Sequence, residues 1–285
     1  MTSITQHIAG SGHAPDADLE HDLLTERARV TWTSGDFGRI AKGYQRGAAE
    51  FIERLRLLPG EPVLDVACGT GNLTLPAART GATVAGVDIA PNLIAQAQAN
   101  AAGEGLPVVF EVGDAERLRY ADATFRTVVT MFGAMFAPRP ERAAAELLRV
   151  TRPRGRIAMA NWTPTGFVGE MLKATVRFVP SPGGVPSPLL WGTEEAVRER
   201  LGGGCTSIAF ERRLITFEYP FGPAEVVEYF RLWYGPTLRA FAALDEAGRE
   251  GLRAELERLW IDRNEATDGT TLVRSEYLEV VAVVR

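Results

Sequence analysis

From residue 37 to 58 apolar positions recur every three or four residues. Ile40, Tyr44, Ala48, Phe51, Ile52 and Leu55 fall on one stripe, which predicts a helix stopped by Pro59-Gly60. Short apolar runs then alternate with helical stripes. Residues 63–67, 83–89, 108–112, 127–132 and 156–162 read as buried strands. Helices are expected over residues 72–79, after Pro91 with Leu93, Ile94, Ala97 and Ala101 inward, and after Pro140 with Ala144, Leu147 and Leu148 inward. Strands separated by helices need right-handed crossovers, so the pattern predicts a doubly wound, mostly parallel α/β sheet. In such a sheet a ligand belongs at the carboxyl ends of the strands, near the switch in strand order.

The rhythm changes after Trp162. Residues 163–192 are rich in Pro and Gly and read as a long loop covering the site. Residues 194–201 predict a short helix, and 207–219 extended chain in one or two strands. Residues 224–234 and 238–264 predict helices, and 272–284 a final strand. Residues 1–30 show little periodicity and read as a mobile tail. The expected organisation is therefore a tail over 1–30, a cap helix over 31–58, an α/β core over 59–162, and a cover with a helical insertion and final strands over 163–285.

The composition narrows the class. A chain of 285 residues can bury a sizeable core without disulfides or metal. A net charge of −5 fits poorly with nucleic acid or an anionic membrane as partner. The longest apolar run, residues 131–137, is far too short to span a bilayer, and the N-terminus lacks an apolar signal core, so a cytoplasmic location is expected. Two cysteines, Cys68 and Cys205, exclude a disulfide scaffold or a Cys-rich zinc site. Cys68 reads as a small buried filler. His7, His13 and His21 all lie in the tail and read as solvated.

The sharpest chemistry lies in Val63-Leu-Asp-Val-Ala-Cys-Gly-Thr-Gly-Asn-Leu-Thr74. A glycine-rich turn between a buried strand and a helix lets backbone approach a ligand closely. Asp65 sits inside that strand. A carboxylate there repels a pyrophosphate and suits a cationic ligand such as S-adenosylmethionine, which carries a sulfonium and an ammonium. Asp88 ends the next strand, where a carboxylate accepts ribose hydroxyls. Asp114 follows the third strand and could accept an adenine amino group, with Ile89 and Ala115 as apolar contacts to the ring.

On the stretches Leu64-Asp-Val-Ala-Cys-Gly-Thr-Gly71, Gly86-Val-Asp-Ile-Ala-Pro91, Gly113-Asp-Ala-Glu116 and Leu147-Leu-Arg-Val-Thr-Arg-Pro-Arg-Gly155, the chain resembles the class I S-adenosylmethionine-dependent methyltransferases, in particular the ubiquinone and menaquinone biosynthesis branch. The resemblance implies a seven-stranded Rossmann-like sheet. It implies that Asp65, Gly69 and Gly71 hold the methionine end, Asp88 the ribose and Asp114 the adenine, with Met131 and Phe132 lining the methionine moiety. It covers residues 60–162 well and fades beyond 163. Ala67 departs from a commoner Gly, so its backbone has to tolerate a Cβ. Arg126, in place of a commoner Asp, is expected to be exposed.

Further positions are weighed from both sides. Tyr44 divides evenly between helix core and a lid over the cofactor. Met135, Trp162 and Trp191 are candidates for the wall of an acceptor pocket. Arg231 and Tyr234 are candidates for substrate contact, although an ordinary amphipathic helix explains their neighbourhood as well. No Ser-His-Asp set, metal cluster or Asp/Asn-Pro-Pro-Tyr/Phe segment is present. The expected activity is methyl transfer by in-line displacement to a small-molecule acceptor on O, N, S or C, without metal, by a monomer or homodimer. Two alternatives stand beside it. One is a non-catalytic S-adenosylmethionine binder that regulates a partner. The other is a nicotinamide-dependent oxidoreductase, which the Thr at position 74 and the charge of Asp65 disfavour.

Overall fold

The computed structural model describes residues 15–181 and 183–285. Its centre is one sheet of seven strands: β1 (Pro62–Val66), β2 (Thr83–Asp88), β3 (Val109–Val112), β4 (Phe125–Met131), β5 (Thr151–Trp162), β6 (Cys205–Tyr219) and β7 (Thr271–Val284). Their spatial order is β3-β2-β1-β4-β5-β7-β6. The first five run parallel, and β7 is inserted antiparallel between β5 and β6. The order reverses between β1 and β4, so the carboxyl ends of these two strands form the switch point where a doubly wound sheet leaves a crevice.

Helices α1 (Pro15–Thr33), α2 (Phe37–Ala41) and α3 (Gln45–Leu55) precede the sheet. Helices α4 (Thr74–Arg79), α5 (Pro91–Glu104) and α6 (Pro140–Val150) are the crossovers. Both α5 and α6 open on a proline, which lacks the N–H that a first turn leaves unpaired, and α5 closes on left-handed Gly105. The cover consists of α7 (Phe167–Phe178), α8 (Glu194–Leu201), α9 (Pro223–Trp233), α10 (Gly235–Ala243) and α11 (Glu246–Arg263).

Three expectations need correction, and a fourth is narrowed. The tail reading fails over residues 15–30, which belong to α1. Its periodicity is faint because its anchor is tertiary: Trp32 meets the rings of Phe37, Phe136 and Tyr234, and Gly235 sits so close that a Cβ there would lie 2.1 Å from the Thr31 carbonyl oxygen. His7 and His13, with the side chain of His21, lie outside the described residues. Residues 163–192 are not all loop, because α7 buries Phe167, Val168 and Met171 between proline-rich flanks. The single helix expected over 238–264 is two, since Asp245 accepts the Gly248 N–H at 2.9 Å and caps a new start at α11. Residues 207–219 form one continuous strand, β6, paired with β7 along its length.

Candidate active site

β1 delivers Asp65 to the crevice and is followed by Ala67, whose φ of 57° is left-handed. Gly69 (φ 54°) and Gly71 (φ 95°) continue a turn that an L side chain would strain. The Cys68 N–H donates to the Val87 carbonyl at 3.0 Å and ties the turn to β2. Asp65 is 1% exposed. Its Oδ2 accepts the Thr74 hydroxyl at 2.5 Å, and no basic side chain pairs with it among the described residues. Burial, assisted by the charge of Asp88, pushes its carboxyl up to about 7. Asp88 ends β2, where Oδ2 accepts the Gly69 N–H at 2.8 Å and Oδ1 the Ala90 N–H at 2.9 Å. Burial raises its pKa while these backbone donors hold it down. The same fixed amides aim its remaining lone pairs. Burial also raises the Cys68 thiol, in keeping with a filler and not a nucleophile.

Asp88, Asp114, Ile89 and Ala115 line a cleft with Met131, Phe132 and Gly133 from the end of β4. Asp114 accepts the Glu116 N–H at 2.9 Å and the Thr25 hydroxyl of α1 at 3.2 Å. Thr25, Ala28 and Trp32 close the cleft from outside the sheet. A second, smaller lobe is lined by Asp65, Tyr44 and Asn72, and shares Phe37, Ala67, Gly69 and Met131 with the cleft. A third space adjoins both. Tyr44 and Phe37 are common to it and the second lobe, and Phe132 and Phe136 to it and the main cleft. Trp162, Phe217, Phe230 and Tyr234 complete this aromatic chamber. Burial keeps the phenols of Tyr44 and Tyr234 protonated, with pKa values raised well above the ordinary tyrosine range.

The structure thus brings together Tyr44, Asp65, Ala67, Gly69, Asp88, Ile89, Asp114, Ala115, Met131 and Phe132, and adds Trp162 and Tyr234 in the chamber. Gly71 shapes the turn without lining these spaces; its N–H bonds to the Cys68 carbonyl at 2.9 Å and its side faces Leu75. Three expected substrate residues are elsewhere. Met135 is 1% exposed and packs inward from a tight turn. Trp191 is fully buried under the Arg200 guanidinium, 4.7 Å from its ring centroid. Arg231 pairs with Glu228 at 2.7 Å on the flank of α9. Arg126 is exposed, as expected. Sequence reasoning missed Thr25, Trp32, Phe37, Phe136, Phe217 and Phe230. An aromatic at the end of a helix stripe reads as core, and only the way α1 and α9 fold across the sheet turns these rings toward one space.

Residues 63–155 match a methyltransferase domain family. The chain is 38% identical over 270 residues to the uncharacterized protein Rv1405c of Mycobacterium tuberculosis, covering 93% of this chain and 97% of that one. It is 33% identical over 166 residues to a phosphatidylethanolamine N-methyltransferase of Cereibacter sphaeroides, covering 56% of this chain and 79% of the relative. Among solved structures, the YcgJ protein of Bacillus subtilis superposes with a TM-score of 0.57 at 15% identity, covering 84% of this chain and 99% of that one. The sheet order, the acidic strand ends and these relatives agree: the chain belongs to the class I S-adenosylmethionine-dependent methyltransferase family.

Proposed function

We propose that this protein transfers a methyl group from S-adenosylmethionine to a small molecule held in the aromatic chamber. One observation carries the reading. Asp65 is a buried carboxylate with no cationic partner among the described residues, beside a second buried carboxylate. A buried carboxyl of that kind either takes up a proton or needs a counter-ion to stay ionised. A ligand bearing an ammonium and a sulfonium supplies one, and a pyrophosphate does not, which disfavours a nicotinamide cofactor.

The residues fit that ligand. Asp65 and the Gly69 turn would hold its amino-acid end, Asp88 its ribose, and Asp114 with Ile89 and Ala115 its base. When bound, the sulfonium supplies a methyl group already activated for displacement. The protein's own work is alignment and exclusion of water. Trp32 and Phe37 wall the cleft, and Tyr44 stands where the polar lobe meets the chamber. The motif resemblance to the ubiquinone and menaquinone branch, with the acidic charge balance, supports a small molecule over nucleic acid as acceptor. No helix among the described residues is long and apolar enough to cross a membrane, and we read the location as cytoplasmic.

Calorimetry tests the cofactor site: S-adenosylhomocysteine should bind and NAD should not. Transfer of labelled methyl from S-adenosylmethionine to pooled metabolites tests the reaction. Binding without transfer across broad pools would favour a regulatory binder.

A further inference from the structure

The chamber's chemistry restricts the acceptor further, given the methyltransferase reading above. Its walls are rings: Phe132 and Trp162 stack with centroids 3.5 Å apart, Tyr44 meets Phe132 edge-on at 5.7 Å, and Trp32 meets Phe136 edge-on at 5.1 Å. None of the residues lining it carries a carboxylate, ammonium, guanidinium or imidazole. Its side-chain polar atoms are the hydroxyls of Tyr44 and Tyr234, the indole nitrogens of Trp32 and Trp162, and the Met171 thioether. The two hydroxyls have no protein hydrogen-bond partner among the described residues, so each is free to orient a guest.

We infer that the acceptor is an uncharged, flat aromatic molecule whose methyl-accepting atom is a nitrogen with a free lone pair, an arylamine or an aromatic N-heterocycle. Three arguments converge. An anionic acceptor would have the sulfonium alone as counter-ion, with no hydrogen-bonding cation of the chamber's own to offset the cost of its desolvation. A cationic acceptor would lie beside a second positive charge in a low-dielectric space, where repulsion exceeds the attraction that a ring face returns. A hydroxyl acceptor must lose its proton before or during transfer, and the chamber offers no base: both tyrosines are held as neutral phenols.

A neutral nitrogen avoids all three difficulties. Its lone pair forms the new bond to the methyl carbon, the carbon–sulfur bond breaks with its electron pair left on sulfur, and the positive charge passes to the nitrogen. An N–H acceptor then gives its proton to water. One positive charge exists throughout, and it moves into a space walled by ring faces, which favour it there.

Matched probes test this. Naphthylamine (neutral at pH 7.5), naphthoate (anionic), naphthylmethylamine (cationic) and naphthol are titrated by calorimetry into the full chain with S-adenosylhomocysteine bound, and assayed as acceptors of labelled methyl. Naphthylamine should bind at least tenfold more tightly than naphthoate or naphthylmethylamine, and, with S-adenosylmethionine saturating at every pH, should accept label at a rate flat from pH 7 to 9. Phe230→Leu should weaken naphthylamine about tenfold with S-adenosylhomocysteine affinity unchanged, and Tyr234→Phe serves as a variant that keeps the ring. Tighter binding of either charged probe, or faster transfer to naphthol with a rate rising with pH, overturns the inference while leaving the cofactor site standing. So does S-adenosylhomocysteine binding with no naphthylamine binding. Failure to bind S-adenosylhomocysteine overturns the methyltransferase reading itself and this inference with it.

Discussion

Phe132 and Trp162 lie face to face, 8° from parallel, at the carboxyl ends of neighbouring strands. The Phe132 N–H donates to the Ala160 carbonyl at 2.9 Å, and its φ is 56°. A left-handed side chain costs roughly 1–2 kcal/mol. Burying a Phe returns about 1.5–3 kcal/mol and a ring pair about 0.5–1.5 kcal/mol more. The backbone is therefore held in an unfavourable conformation by what the ring packs against. Phe132→Ala removes that packing and keeps the strain, so it should destabilise the protein by about 3–5 kcal/mol. Urea unfolding measures this, and a loss under about 1 kcal/mol would mean the ring is not packed as described.

Gly133 and Ala67 touch across the switch point. A Cβ on Gly133 would lie 2.5 Å from the Ala67 Cβ and 2.8 Å from the Ala67 carbonyl oxygen. Gly133→Ala should therefore cost about 1–3 kcal/mol by overpacking. Ala67→Gly removes one of the clashing atoms and the left-handed strain, so the double variant should recover part of the loss. A double-mutant cycle giving strictly additive effects would contradict the contact.

The pH behaviour follows from Asp65. Its carboxyl titrates near 7 in the folded chain and about 3.9 when unfolded, so between these values the folded state holds the extra proton. Without ligand, this group favours folding at low pH, and the advantage is lost as pH rises through about 7. A cationic ligand requires the ionised form. S-adenosylmethionine affinity should therefore rise from pH 6 to 8, with proton release at pH 6 visible by calorimetry in buffers of different ionisation enthalpy. Asp65→Asn should abolish the proton release.

Asp88 serves both turn and ligand, as it accepts the Gly69 and Ala90 amides. Asp88→Ala should weaken S-adenosylmethionine by about 1–3 kcal/mol through lost charge-assisted bonds. It should also lower the melting temperature, because two buried amides lose their acceptor. Calorimetry showing unchanged affinity would remove Asp88 from the site.

Trp32 tests the role of α1. Its ring meets Phe37, Phe136 and Tyr234 and lines both cleft and chamber. Trp32→Ala should leave the far-UV circular dichroism of the sheet intact while weakening S-adenosylhomocysteine by roughly tenfold, about 1.4 kcal/mol. Unchanged affinity would show that α1 does not close the cleft.

The sequence alone determined the alternation of buried strands and helices, and with it the parallel sheet. It also determined that Asp65, Asp88 and Asp114 stand at three strand ends, because strand period and crossover handedness are local rules with few solutions. It carried the glycine turn for the same reason, since a left-handed backbone selects its residue type. Only the tertiary structure decided that α1 is a helix across the cleft, that Trp191 and Met135 face the core, and that rings from α1, α2, α9, β5 and β6 share one chamber. A ring at an amphipathic position looks the same whether it fills a core or faces a cavity. The difference lies in how distant segments close around it, and close approaches such as Gly235 against Thr31 leave no local trace.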